Sequence, residues 1–146
     1  MIKFRLCNLM LLMVCLVFVV SVVALQGGSP MSVSLTGKAE VPGPGDDDGT
    51  GTANLTMNQE KSEVCYEISV SGVDAPGAAH IHEGAADKAG PPVVDFKPQF
   101  KDNMAKSCVS ADKELLKKIS ANPANYYVNV HNAAFPKGAV RGQLSK

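Results

Sequence analysis

The three histidines of this chain are the residues whose type and spacing could carry chemistry. His80 and His82 lie one residue apart in AAHIHEG, and His131 ends YYVNVH. Residues i and i+2 of a strand point to the same face, so this pair could clamp a transition metal such as copper, zinc, iron or nickel. If the two strands pack together, three imidazoles with an open position form the arrangement of a catalytic metal site. The alternative is three surface or hydrogen-bonded histidines without a metal.

Two charged residues lie near these histidines, and each has two interpretations. If residues 132–138 form a hairpin loop, Asn129 pairs with Arg141, which then lies diagonal to His131 at about 7–8 Å. There its guanidinium could draw a small anion toward a metal, or it could fix the hairpin by binding a carboxylate or backbone carbonyls. Glu83 could orient a metal-bound imidazole without binding the metal itself, or it could be an exposed loop acid.

The elements that must position these residues are mostly strands. Period-2 alternation of apolar residues is typical of half-buried antiparallel strands, and the sequence has one amphipathic segment that predicts a helix capped by Ser110. We therefore predict a mainly β fold, a Greek-key antiparallel β-sandwich or barrel with one short helix. The strand segments are MSVSLTG, GTANLTMN, EVCYEISVSG, YYVNVH and AVRGQL, and the helical segment is SADKELLKKIS.

The N-terminal residues have the pattern of an export signal. Lys3 and Arg5 precede an apolar run that ends near residue 25, which is typical of a signal peptide. Because the run is long enough to span a bilayer, an N-terminal membrane anchor is the alternative. We expect residues 1–25 to be this leader, residues 26–146 to be the β domain, and the protein to be extracytoplasmic, secreted or periplasmic. It would meet a membrane only if the leader is retained.

Loss of the leader also fixes the charge and the cysteine count of the domain. It removes two basic and no acidic residues, so the net charge falls from zero to −2, and no basic patch indicates nucleic acid as a partner. Cys65 and Cys108 remain. In an oxidising compartment they predict a disulfide. Two buried thiols are the alternative, and a thiolate metal site is less favoured.

Three longer motifs resemble the CHRD (chordin-domain) family. They are LTGKAEVPGP, AAHIHEGAADKAGPPVVDF and YYVNVHNAAFPKGAVRGQL, which occur in the family's order between about residues 31 and 144. GPPVV departs from the family's usual G-P-V-V by one extra proline, which affects the loop geometry. The resemblance implies an extracytoplasmic β domain, and it does not imply one settled reaction.

A shorter stretch, HIHEGAADKAGP, is similar to a segment of copper–zinc superoxide dismutases, which are Greek-key barrels with an intrachain disulfide. By this resemblance His80 and His82 would be paired copper ligands, His131 a later ligand, and Arg141 the guide for the anion. The chain has no further histidine to build a zinc site. The resemblance therefore implies a copper-only site.

Two classes of function stay open at this point. In the first, three histidines bind copper, and any enzyme would be a superoxide dismutase-like copper oxidoreductase acting on a small anion such as superoxide. Zinc ranks below copper, because copper outcompetes zinc for the same ligands; a zinc-bound hydroxide would support hydrolysis or hydration. In the second, the domain is a non-catalytic extracellular module for protein binding or adhesion, its histidines are structural, and its partner is a protein. Copper storage without turnover is a further alternative.

Overall fold

The protein is described here by a computed structural model that covers Gly28 and residues 30–146. The predicted leader, residues 1–25, lies outside the described residues. The described residues form eight strands, one α-helix and two short 3-10 turns, Gly37–Ala39 and Pro123–Asn125. The strands are β1 Pro30–Thr36, β2 Thr50–Asn58, β3 Glu63–Ser71, β4 Ala78–Glu83, β5 Pro92–Asp95, β6 Met104–Ser110, β7 Tyr126–His131 and β8 Val140–Gln143, and the helix is α1 Lys113–Ala121.

All eight strands belong to one antiparallel sheet with the order β5-β4-β7-β8-β1-β2-β3-β6. The connection from β3 to β4, residues 72–77, and the connection from β5 to β6, residues 96–103, each join strands from opposite ends of this order. Short connections of this kind require the two ends of the sheet to lie close together. The sheet is therefore nearly closed as a barrel, which confirms the predicted mainly β fold with one helix.

Alternation along the strands places one apolar set inside the barrel. Ile68, Ile81 and Val128 are fully buried there, and each such side chain contributes about 1.5–3 kcal/mol relative to an exposed one. Helix α1 adds Leu116 and Ile119 to the same core. The prediction of its cap was wrong. Asp112 is the N-cap, and its carboxylate accepts a hydrogen bond from the Leu115 N–H, whereas Ser110 is the last residue of β6.

Strands β5 and β6, at the two ends of the sheet, were not predicted from the sequence. β5 is short and begins at Pro92, and Ala105 is the buried residue of β6, so neither segment shows a strong apolar alternation. The register between β4 and β5 shifts at His82, which pairs with Pro92 and leaves Val93 unpaired. We interpret this β-bulge as the feature that accommodates the extra proline of GPPVV.

The predicted disulfide is confirmed. Cys65 of β3 and Cys108 of β6 lie directly opposite each other in the register and are bonded across 43 residues of sequence. The bond ties β6, an end strand, to the sheet, and on the chain-entropy model a loop of this length stabilises the fold by roughly 4 kcal/mol. Within the described residues, no helix has the length and hydrophobicity needed to cross a membrane.

Candidate metal centre

The candidate site lies on the outer face of β4, β7 and β8, opposite the core. The register pairs His80 with Asn129 and His82 with Tyr127, and Asn129 pairs in turn with Arg141. Because side chains alternate along each strand, these residues share the face that points away from Ile81 and Val128. The segment of residues 84–91, which we call the 84–91 loop, packs over this face and buries it.

The three histidines come together on this face. Nδ1 of His80 lies 3.0 Å from Nε2 of His131, and the ring centroids of His80 and His82 are 5.5 Å apart. One ring nitrogen from each histidine lies within 4.8 Å of the other two. Nitrogen atoms bound to one ion at about 2.0–2.1 Å lie roughly 3–4 Å apart, so small side-chain movements would let all three bind the same metal.

Hydrogen bonding fixes which nitrogen of His82 is available. Its Nδ1 lies 2.8 Å from the Gly90 carbonyl oxygen, and because a carbonyl only accepts, Nδ1 must carry the proton. The lone pair of this imidazole is therefore on Nε2. That atom is buried and has no hydrogen-bond partner among the described residues.

Burial keeps all three imidazoles neutral. It is the main cause that lowers the pKa of each histidine below the usual 6.5. The effect is largest for His131, where burial and the neighbouring His80 and His82 lower the pKa to about 4. Since only a neutral imidazole has a lone pair to give, all three could act as ligands at neutral pH.

The carboxylate beside the cluster is Asp95, which sequence reasoning did not identify. Its Oδ1 lies 3.8 Å from Nε2 of His80, across the β4–β5 pair. Glu83, the predicted orienting residue, is exposed at the end of β4, and no described histidine contacts its carboxylate. Alternation along β4 directs Glu83 to the face opposite His82. Asp95 could have been found only from the pairing of β5, a strand that the sequence did not reveal.

Arg141 has the predicted register, and the structure shows that its side chain is buried. Asn129 pairs with Arg141 as expected, yet Arg141 is only 1% exposed. Its Nη2 donates to the carbonyl oxygens of Ala85 at 2.8 Å and Lys88 at 3.1 Å. The sequence left two interpretations open. These contacts match the one in which Arg141 binds backbone carbonyls. Guidance of an anion stays a prediction.

Two further buried polar residues belong to this region and were not singled out from the sequence. Asn129 is 1% exposed and Glu40, which follows the turn after β1, is 7% exposed. Oδ1 of Asn129 and Oε1 of Glu40 have no hydrogen-bond partner among the described residues. Burial raises the pKa of Glu40 to about 7, although Arg141 and the Val41 N–H act in the opposite direction. The alternation of YYVNVH places Asn129 on the same face as His131, but it does not show that the amide is buried.

Comparison with known proteins agrees with the motifs quoted above. The family model of the CHRD domain matches residues 31–144, which include every strand from β2 to β8 and nearly all of β1. All three histidines and both cysteines of the disulfide lie inside the matched range. No curated protein and no solved structure matches the chain.

Proposed function

Because the chain belongs to the CHRD-domain family, an extracellular-type module, we propose that it is an exported domain that binds one copper ion through His80, His82 and His131. The observation that carries the proposal is the convergence of the three imidazoles on one covered face of the sheet. A cleaved signal peptide or a retained anchor in residues 1–25 would deliver the domain outside the cytoplasm. The disulfide between Cys65 and Cys108 fits such a compartment.

The donor atoms favour a metal over a purely structural cluster. Nε2 of His82 is a buried acceptor that lies beside the Asn129 side chain and makes no hydrogen bond of standard length among the described residues. A metal ion would take up its lone pair. Lowered pKa values remove the competing protons at neutral pH. Asp95 near Nε2 of His80 resembles the carboxylates that orient metal-bound histidines.

We favour copper over zinc because copper is the stronger competitor for three imidazoles in the Irving–Williams order. The 3.0 Å between Nδ1 of His80 and Nε2 of His131 is a hydrogen bond. The nitrogen that donates this bond would have to lose its proton or change tautomer before both atoms could bind the ion.

The open side of the cluster supports reaction with a small molecule. His82 is buried, whereas His80 and His131 are only half-buried, so solvent reaches the cluster from the side of these two rings. Copper would supply one-electron redox chemistry, and the substrate we propose is superoxide, which disproportionates with two protons per pair of anions to dioxygen and hydrogen peroxide. The three imidazoles hold the ion, and the 84–91 loop excludes water from the His82 side.

The test is the metal content of the exported protein after exposure to equal copper and zinc. We expect about one copper per chain with a Cu(II) spin-resonance signal from nitrogen ligands, lost in the His80→Ala, His82→Ala double variant. Glu83→Gln is the matched control: its side chain is exposed on the other face, so copper content should match wild type. A superoxide assay on the loaded protein then tests turnover.

Two results would contradict the proposal. If neither wild type nor the double variant holds stoichiometric metal, the histidines are structural and the domain is better explained as a non-catalytic module that binds a protein. If copper binds but the loaded protein does not accelerate superoxide loss over free copper controls, metal binding stands and dismutation fails. Loss of copper in Glu83→Gln would show that Glu83 contributes to copper binding.

A further inference from the structure

The geometry points to Arg141 as the positioning residue of the ligand His82, which it controls through Tyr127 and the 84–91 loop. This inference deepens the proposed function, since it concerns how the same site aims one of its ligands. It assigns Arg141 a role in the structure of the centre instead of a direct contact with an incoming anion. Three sets of contacts carry it.

The first set joins Arg141 to the 84–91 loop. Nη2 donates to the carbonyl oxygens of Ala85 and Lys88, at 2.8 and 3.1 Å, and lies 3.3 Å from Oε1 of Gln143. Charged donors make stronger hydrogen bonds to carbonyls than neutral donors do. Because Arg141 lies on a sheet strand, these bonds fasten the loop to the rigid part of the molecule.

The second set is a stack of three side chains. The guanidinium carbon of Arg141 lies 3.4 Å from the centroid of the Tyr127 ring. Tyr127 in turn stacks on His82, with centroids 4.9 Å apart and an angle of 14° between the planes. Tyr127 therefore contacts both the cation and the imidazole ring, and these contacts restrict the side-chain torsions of His82.

The third set meets at Gly90, near the end of the loop. The Gly90 carbonyl oxygen accepts from Nδ1 of His82 at 2.8 Å, and the Gly90 N–H donates to the Tyr127 hydroxyl at 3.2 Å. The position of this one peptide group decides which nitrogen of His82 carries the proton. Arg141 contacts both groups that hold His82 in place, the 84–91 loop and the Tyr127 ring.

Arginine suits this role better than lysine. The guanidinium carbon lies over the Tyr127 ring while Nη2 donates to two carbonyls, and a planar cation can make both contacts at once. A lysine ammonium keeps the charge but has no planar group to stack on the ring. Arg141→Lys therefore separates the two roles, since a guide for anions needs the charge and a positioning residue needs the shape.

The first experiment uses the metal-free protein and so does not depend on copper. Nitrogen NMR of His82 should show the Nδ1–H tautomer in wild type, and Arg141→Lys should convert a measurable share of it to the Nε2–H tautomer. Tyr127→Phe provides a second variant that keeps the stacked ring and removes the hydroxyl. Lys88→Ala is the control, because the Lys88 side chain is exposed and Arg141 contacts only the Lys88 backbone carbonyl.

The second experiment uses the copper-loaded protein. Arg141→Lys should lower copper affinity by about 10- to 100-fold, the usual effect of losing a group that orients a ligand, and should change the Cu(II) hyperfine splitting. Lys88→Ala should leave the copper affinity and the spectrum unchanged. A wild-type tautomer and spectrum in Arg141→Lys would overturn the inference, and so would equal changes in Lys88→Ala. If wild type binds no copper, the proposed function fails, and the tautomer measurement still decides the role of Arg141.

Discussion

The buried carboxyl group of Glu40 makes a prediction that can be worked through in numbers. Burial raises its pKa from 4.5 to about 7, against the opposing influence of Arg141. A raised pKa in the folded state means that folding favours the protonated form. The stability from this group is therefore present below pH 4.5 and is lost as pH rises through about 7. At about 1.36 kcal/mol per pH unit, the loss amounts to roughly 3 kcal/mol.

Glu40→Gln keeps the shape of the side chain and removes its titration. We expect the variant and wild type to have similar free energies of unfolding at pH 4, and the variant to be more stable by up to about 3 kcal/mol at pH 8. His131 acts in the opposite direction in both proteins. Its pKa is lowered to about 4, so its contribution is present above pH 6.5 and is lost as pH falls toward 4. In wild type the two effects oppose each other between pH 4.5 and 6.5.

The assay is denaturant unfolding from pH 4 to pH 8, without reductant and with a chelator to keep the histidines metal-free. The quantity to compare is the difference between Glu40→Gln and wild type at each pH, because contributions from other groups cancel in it. Glu83→Gln, which changes an exposed carboxylate, provides the matched control and should give a nearly constant difference. A constant difference for Glu40→Gln as well would refute the reasoning.

Three further predictions concern the disulfide, the Asp95 carboxylate beside the histidine cluster, and the buried Asn129 amide. The Cys65→Ser, Cys108→Ser variant should lose roughly 4 kcal/mol of unfolding free energy, and a loss below 1 kcal/mol in denaturant titration would contradict this. Asp95→Asn should weaken copper binding about 10-fold in competition titrations, with unchanged affinity as the contrary result. Asn129→Leu keeps the side-chain volume and should stabilise the metal-free protein by about 1 kcal/mol, because it removes a buried amide oxygen that has no hydrogen-bond partner among the described residues; a lower unfolding midpoint would show that the amide pairs with His82.

Periodicity explains how much of the site was predictable. The period of two in AAHIHEG and YYVNVH fixes which side chains share a face, and the hairpin length fixes the pairing of Asn129 with Arg141. The disulfide followed from the cysteine count and the expected compartment. The cluster also needed the pairing of β4 with β7, which are distant in sequence, and local rules do not supply that pairing.

The features that the sequence did not reveal depend on contacts with segments that are distant in sequence. Arg141 is buried because the 84–91 loop crosses β8, and no alternation within AVRGQL predicts that. Asp95 reaches His80 through β5, whose few residues and initial proline give a weak strand pattern. Glu40 is buried at a turn where acidic residues are ordinarily exposed. In each case a contact made by another segment reverses what the local sequence indicates.

The outer face of β4, β7 and β8 is costly as a purely structural feature. Buried polar atoms without a hydrogen-bond partner in the described part of the chain gather on this face, on His82, Asn129, His131 and Arg141. Leaving such an atom unpaired costs about 1–3 kcal/mol, so stability alone would favour apolar residues at these positions. Ligand binding gives a reason to retain the polar side chains, and copper is the ligand that we propose.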